Sequence, residues 1–170
     1  ALKLDLSDDA RTAMAREMAH WADQDEGTAD LMEQELVHEL NAYLKPLLML
    51  TCTYPAVAAN PPYASSRKIN KPLKNYLKKH YPDAKNDLFA TFMKVLPDHT
   101  ALGGRFAFIT PPSWMFLSSY EDLRRQYVDD FFFDSLLHLS RGIFGADFGS
   151  VATAVQKAPQ QGRTGTYFRL

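Results

Sequence analysis

The stretch from Tyr54 to Tyr63 constrains the fold more than any other part of this sequence. A short apolar run, Tyr54–Ala59, meets Asn60-Pro61-Pro62-Tyr63 and stops. Proline fixes its own φ and offers no amide hydrogen, so neither a helix nor a central strand continues through a Pro-Pro pair. The run is therefore predicted to be a buried strand that ends in a rigid loop.

Upstream of this strand the periodicity is helical. Ser7 stands as an N-cap with Asp8 and Asp9 at the helix start, and Met14, Met18 and Trp21 follow at helical spacing across Ala10–Trp21. Gly27 breaks the pattern. A second helix, from about 29 to 44, carries Leu31, Leu36, Leu40 and Leu44 as an apolar stripe. Together they read as a helical hairpin whose leucines and methionines are core. The texture changes at the continuous apolar run Leu47–Leu50, so the chain is divided into a hairpin or insert, 1–46, and a larger portion, 47–170.

Downstream, helices and short strands alternate. Asn70, with Pro72 in the first turn, starts a short helix that ends before Tyr81-Pro82. A helix from Asp87 to about Leu96 places Leu88, Phe89, Phe92 and Leu96 on one side. Gly103-Gly104 is read as a turn before a strand, Arg105–Thr110, and Pro111-Pro112 as a loop before a helix of roughly Ser119–Tyr127. Strands follow near Phe131–Leu139 and Val151–Gln156, and Thr166–Leu170 has the pattern of one more. Such alternation predicts an α/β architecture with an at least partly parallel sheet. Ligands of these sheets sit beyond the carboxyl ends of the strands, where Asn60–Tyr63 falls.

Composition narrows the classes. The chain has 170 residues, a net charge of -1, 46% hydrophobic and 12% aromatic residues, enough for a real core and unlike a disordered or collagen-like polymer. No apolar run approaches the roughly 18 residues of a membrane span. The first residues carry no signal-peptide pattern, which points to the cytoplasm. One cysteine, Cys52, makes neither an internal disulfide nor a cysteine-based zinc site. With a near-neutral charge, any contact with nucleic acid has to come from a local patch.

Asn60-Pro61-Pro62-Tyr63 resembles the fourth motif of the amino-group methyltransferases that use S-adenosylmethionine, Asn/Asp-Pro-Pro-Tyr/Phe. The residue types suit that chemistry. The exocyclic amine of adenine is a poor nucleophile, because its lone pair is delocalised into the ring. Two acceptors aimed at its two hydrogens favour a pyramidal nitrogen with an exposed lone pair. The side-chain oxygen of Asn60 and the backbone carbonyl of Pro61 can be those acceptors, pre-aimed by the paired prolines. Tyr63 would stack on a flipped-out base, a contact worth about 1–3 kcal/mol. The other reading of these residues is a plain turn, with Asn60 bonding its own backbone and Tyr63 packed on the core.

The resemblance extends along the chain. Asp87-Leu88-Phe89-Ala90-Thr91-Phe92 is similar to the family's next motif, in which the position of Phe92 lines the pocket for the cofactor's adenine; a core phenylalanine is the competing role. Gly103-Gly104 with Phe106–Pro111 is similar to the following strand element. Arg141-Gly142-Ile143-Phe144 resembles a later element whose aromatic touches the target base, which implies that role for Phe144. The lysine-rich helix, the run from Tyr81 to Phe89 and Ser113–Glu121 resemble one branch, the large adenine methyltransferases of BREX phage-defence systems. This branch implies a cytoplasmic bacterial enzyme of Rossmann-like fold that methylates adenine N6 in double-stranded DNA, with other defence-system proteins as further partners. The family's glycine-rich cofactor turn should precede Asn60, yet Gly27 is the single glycine before it. Asp147-Phe148-Gly149-Ser150 lacks the second glycine and reads as a loop before a strand. The chain is accordingly read as the C-terminal portion of a catalytic domain, expected to bind cofactor poorly and to be inactive alone.

Arg67, Lys68, Lys71, Lys74, Lys78 and Lys79 follow one another with no acid among them. Lys71, Lys74 and Lys78 share a helix face by their spacing. Beside a base-binding loop such a face can hold DNA phosphates, and as an isolated surface helix it is simply solvated. His38-Glu39 starts a metalloprotease-like pattern, but position 42 is Ala, and the scattered histidines predict no metal site. Ser113, Ser118 and Ser119 lack the nucleophile elbow of serine hydrolases. Two further functions stay open at this point. A glutamine-directed protein N5-methyltransferase uses the same tetrapeptide, because a carboxamide nitrogen poses the same lone-pair problem. A DNA-binding or assembly module that keeps the fold without catalysis is the other.

Overall fold

The computed structural model describes residues 7–23, 31–142, 149–159 and 162–170, which divide into two compact units between Cys52 and Thr53. The first unit holds two helices, α1 (Asp8–Asp23) and α2 (Leu31–Thr51). Ser7 caps α1 as expected, its hydroxyl accepting from the Ala10 amide at 3.2 Å. The second helix departs from expectation. It runs through Pro46 and takes up Leu47–Leu50, which the sequence pattern sets apart from the helix. Proline removes one helical hydrogen bond without unwinding the good helix formers around it. The helix ends where Thr51 and Cys52 turn their side chains back onto the Leu48 carbonyl. Leu36 and Leu40, expected as core, are exposed at 58% and 39%. Two helices alone can bury only the stripe along their mutual seam, which leaves part of so long an apolar surface in water.

The second unit is built on a five-stranded sheet: β1 (Tyr54–Ala59), β2 (Thr100–Thr110), β3 (Phe132–Leu139), β4 (Ser150–Gln156) and β5 (Thr166–Arg169). The spatial order is β1-β2-β4-β3-β5. Only β4 runs against its neighbours, so β1, β2, β3 and β5 all leave the sheet at one end. This is the α/β, partly parallel architecture predicted from the alternation. Among the described residues β1 pairs with β2 alone, and Ala56 and Ala58 are exposed where the apolar run predicts a buried strand.

Helices α3 (Lys71–His80), α4 (Leu88–Val95) and α5 (Glu121–Asp130) complete the unit. The Asn70 side chain caps α3 by accepting from the Leu73 amide at 2.9 Å, and Pro72 sits where its missing N–H costs nothing. The core lies on the sheet face shared by Phe106, Phe108 and Val155, against Phe89, Met93, Leu123 and Tyr127. The fully buried Tyr127 hydroxyl donates to the Met93 carbonyl at 2.6 Å, tying α5 to α4. Burial pushes its ionisation well above the usual phenol range, so it stays a neutral donor. On the same face Trp114 is buried and donates its indole N–H to Thr110 Oγ1, while Arg124 holds the Trp114 and Leu117 carbonyls.

Gly103-Gly104 is not a turn ahead of β2 but a bulge inside it. Tyr54 pairs with Thr100 and Ala56 with Arg105, so the β2 side carries surplus residues there. Gly103 has φ +75, and a Cβ on Gly104 would lie 2.8 Å from the Pro55 carbonyl oxygen. The bulge is braced by backbone bonds to Lys157 on the other side.

Candidate active site

β1 delivers Asn60 to the end of the sheet where the parallel strands leave. Asn60 and Pro62 are exposed, and Pro61 between them is buried, so the corner is anchored from below while its polar side chain faces out. The loop is fixed on its far side as well. The Leu88 amide donates to the Ala64 carbonyl, the Ser66 amide donates to the Asn86 carbonyl, and Ser65 bridges to Asp87. Asp87 in turn caps α4, accepting from the Phe89 amide at 3.3 Å. Burial raises the Asp87 pKa, opposed by backbone amides and by Lys68. Nearby Tyr120 is pushed up to about 12, first by burial and then by Asp87. The chain around Asn60 is thus held by strand pairing before it and by α4 after it.

Tyr63 is half-buried. Its hydroxyl donates to the Ile109 carbonyl at 3.1 Å, and its ring stands edge-on to Phe89, centroids 6.5 Å apart. Burial raises its pKa, so the ring is a neutral phenol. The packing component of the plain-turn reading is therefore present, and the hydroxyl anchor fixes the plane of the ring. Phe92 behaves oppositely to a core residue. Phe89, Ala90, Thr91 and Met93 are the buried members of α4, and Phe92 is 38% exposed. Its place on the outward side of α4 removes the core role weighed above. Phe144 lies outside the described residues.

From Asn60 an apolar trough of about 570 Å³ crosses the sheet face opposite the core, floored by Ala58, Ala107, Ile109, Ala152 and Ala154. Asn60 and its backbone are the polar chemistry at its head. Arg67, Lys68, Lys71 and Lys78 are exposed, and Lys74 is half-covered. Among the described residues none of the five forms an ion pair. Lys78 and its neighbours Lys79 and His80 also occupy the last turn of α3, where cations oppose the helix dipole. Among the described residues no three potential ligands gather as a metal site, and no helix is long and apolar enough to cross a membrane.

The Asn60–Tyr63 corner thus stands at the carboxyl end of β1 in an α/β sheet in which, among the described strands, β4 alone is reversed, the fold class of Rossmann-like methyltransferases. Residues 8–144 match the model of the Eco57I restriction-modification methylase family, and the chain belongs to that family. It is 37% identical over 145 residues to the adenine-specific methyltransferase BrxX of Escherichia coli O9:H4 (strain HS), covering 83% of this chain and 12% of that protein. It is 39% identical over 136 residues to the adenine-specific methyltransferase PglX of Lacticaseibacillus casei (strain Zhang), covering 78% and 11%. The chain thus spans about a tenth of the length of these relatives. In fold it is similar to a protein of Listeria monocytogenes solved as a class I S-adenosylmethionine-dependent methyltransferase, with TM-score 0.55, 12% identity, and 70% and 37% of the two chains covered.

Sequence reasoning missed the parts whose meaning depends on partners distant in the chain. Arg124 is invisible as a staple until its carbonyl acceptors are in place. Asp87 belongs to a motif-like stretch in which nothing local shows that it pins the Asn60 loop; its one local signal is an acid just before an apolar helical run.

Proposed function

We propose that this chain supplies the amine-binding side of an adenine-N6 DNA methyltransferase, acting on double-stranded DNA in phage defence or restriction-modification. The observation that carries the reading is the exposed Asn60 set on a buried proline at the carboxyl end of β1. Asn60 Oδ1 and the Pro61 carbonyl accept the two hydrogens of the adenine amine and draw its nitrogen toward a pyramidal shape. Tyr63, held by its hydroxyl, offers a ring to the extruded base. No strong general base is needed, because the proton becomes acidic once the nitrogen carries positive charge. The work is orientation and electrostatics.

S-adenosylmethionine, when bound, supplies an electrophilic methyl group. The residues present fit part of it: the outward ring of Phe92 suits the cofactor's adenine. The basic residues Arg67, Lys68, Lys71, Lys74 and Lys78 would meet the DNA backbone, and Phe144 the target base. Other defence-system proteins are the proposed assembly partners.

The test is Asn60→Ala in the full-length protein, given plasmid DNA and, in parallel, a release-factor-like protein. The expected result is N6-methyladenine from the parent, a loss on the order of 100-fold or more in the variant, and an unchanged melting temperature. Near-normal methylation by the variant rejects the role of Asn60. Methylation of the protein substrate alone selects the glutamine-directed enzyme, and DNA binding without methylation selects the non-catalytic module.

A further inference from the structure

The end of the sheet that carries Asn60 has a second feature, unused by the proposed reaction. A cavity of about 570 Å³ opens beside the ends of β3 and β5, and among the described residues its lining includes Phe116, His138, Arg141 and Arg169 but no Asp or Glu. His138 and Arg169 are register partners in the parallel β3–β5 pair, so both side chains leave the same sheet face. Arg141 is exposed, and Phe116 is 69% exposed although it lies two residues from the buried Trp114. The frame is firm. The Leu170 amide donates to the His138 carbonyl at 3.0 Å, and the Ser140 hydroxyl donates to the Leu170 carbonyl at 2.6 Å. Gly149 lets the start of β4 pass close by, since a Cβ there would lie 2.9 Å from the Leu139 carbonyl oxygen.

We propose that this cleft grips a backbone phosphate of the DNA flanking the target adenine, between the guanidinium groups of Arg141 and Arg169, with the Phe116 ring against the adjoining sugar or base. The proposal rests on the DNA reading above and adds a second, separate contact to it. Two guanidinium groups that pair with no Asp or Glu among the described residues match a phosphodiester, and guanidinium forks bind such oxygens in pairs. The exposed aromatic supplies the stacking partner that a nucleotide offers and a free anion lacks. Position also agrees. β3 lies three strand spacings from β1 and β5 four, about 14 and 19 Å. At about 3.4 Å of rise per nucleotide, that is about four to six positions from the extruded base.

The experiment uses the full-length protein and a duplex with one target site. Affinity is measured across a salt series for the parent, the Arg141→Gln/Arg169→Gln double variant and Phe116→Ala, with melting curves to show that all three fold. The slope of log affinity against log salt should fall by about one to two in the double variant, and Phe116→Ala should weaken binding about tenfold. A neutral methylphosphonate about four to six nucleotides from the target should weaken the parent and leave the double variant unaffected. An unchanged slope, or equal sensitivity to the methylphosphonate, overturns the proposal even if the parent methylates adenine. A cleft-dependent slope in a parent that makes no N6-methyladenine keeps the cleft and rejects the catalytic reading. Absence of DNA affinity in the parent rejects both.

Discussion

Alternate residues of the same strands build two unlike sheet faces. One carries Phe106, Phe108, Val151 and Val155, all buried, and meets the aromatic underside of the helices. The other carries Ala58, Ala107, Ala152 and Ala154, and is an open trough leading to Asn60. The first face is where burial of large rings stabilises the unit. The second keeps the backbone flat and accessible and contributes little to the core. The packed face and the open one are thus separated by the two-residue period of a strand.

The sharpest way to break this contrast is to truncate one residue on each face. Phe106→Ala should cost about 3–5 kcal/mol in urea unfolding, because it removes a ring that touches Phe108, Tyr127 and Phe131. Ile109→Ala, on the half-buried side, should cost about 1 kcal/mol. Equal losses would mean that the trough is as tightly covered as the core. A smaller effect isolates the polar tie within the aromatic face. Tyr127→Phe keeps the ring and orphans the Met93 carbonyl, for a loss of about 1–2 kcal/mol.

The smallest effect concerns the loop behind Asn60. Asp87→Ala should cost about 1 kcal/mol through the lost cap, whereas Asp87→Asn, also a good cap, should stay within about 0.5 kcal/mol at neutral pH. The sign with pH follows from the raised carboxyl. The folded state binds the proton more readily than the unfolded one, so charged Asp87 opposes folding above its raised value. That penalty is relieved as pH falls through the raised value toward the ordinary 3.8. Stability curves of the parent and Asp87→Asn should therefore converge on acidification. Parallel curves would show that the carboxyl is not strained by burial.

The corner at Asn60 was legible because prolines act locally: two of them stop a strand whatever surrounds it. The start of α3 at Asn70, with Pro72 in its first turn, was legible for the same reason. The buried face of α4 was not. Leu88, Phe89, Phe92 and Leu96 look like a stripe, but the helix turns Phe89, Ala90 and Met93 inward, and small Ala90 and Thr91 give no apolar signal strong enough to show it. Gly103-Gly104 announced a special backbone and not its kind, since a bulge is defined by Pro55 and Lys157 across the sheet. The Arg141–Arg169 cleft needed the parallel pairing of β3 with β5, which no local pattern encodes.

That bulge has a bearing on how the molecule reaches its final form. Sliding β1 by one residue along β2 would turn Val57 and Ala59 away from the core and bring Ala56 and Ala58 onto the helix side in their place. The surplus residues at Gly103-Gly104 fit beside Pro55 in a single alignment, with Lys157 bracing them from behind. They work as a locating pin: the strand that carries Asn60 can seat in one position only, so the asparagine emerges at the correct height above the sheet each time the chain folds.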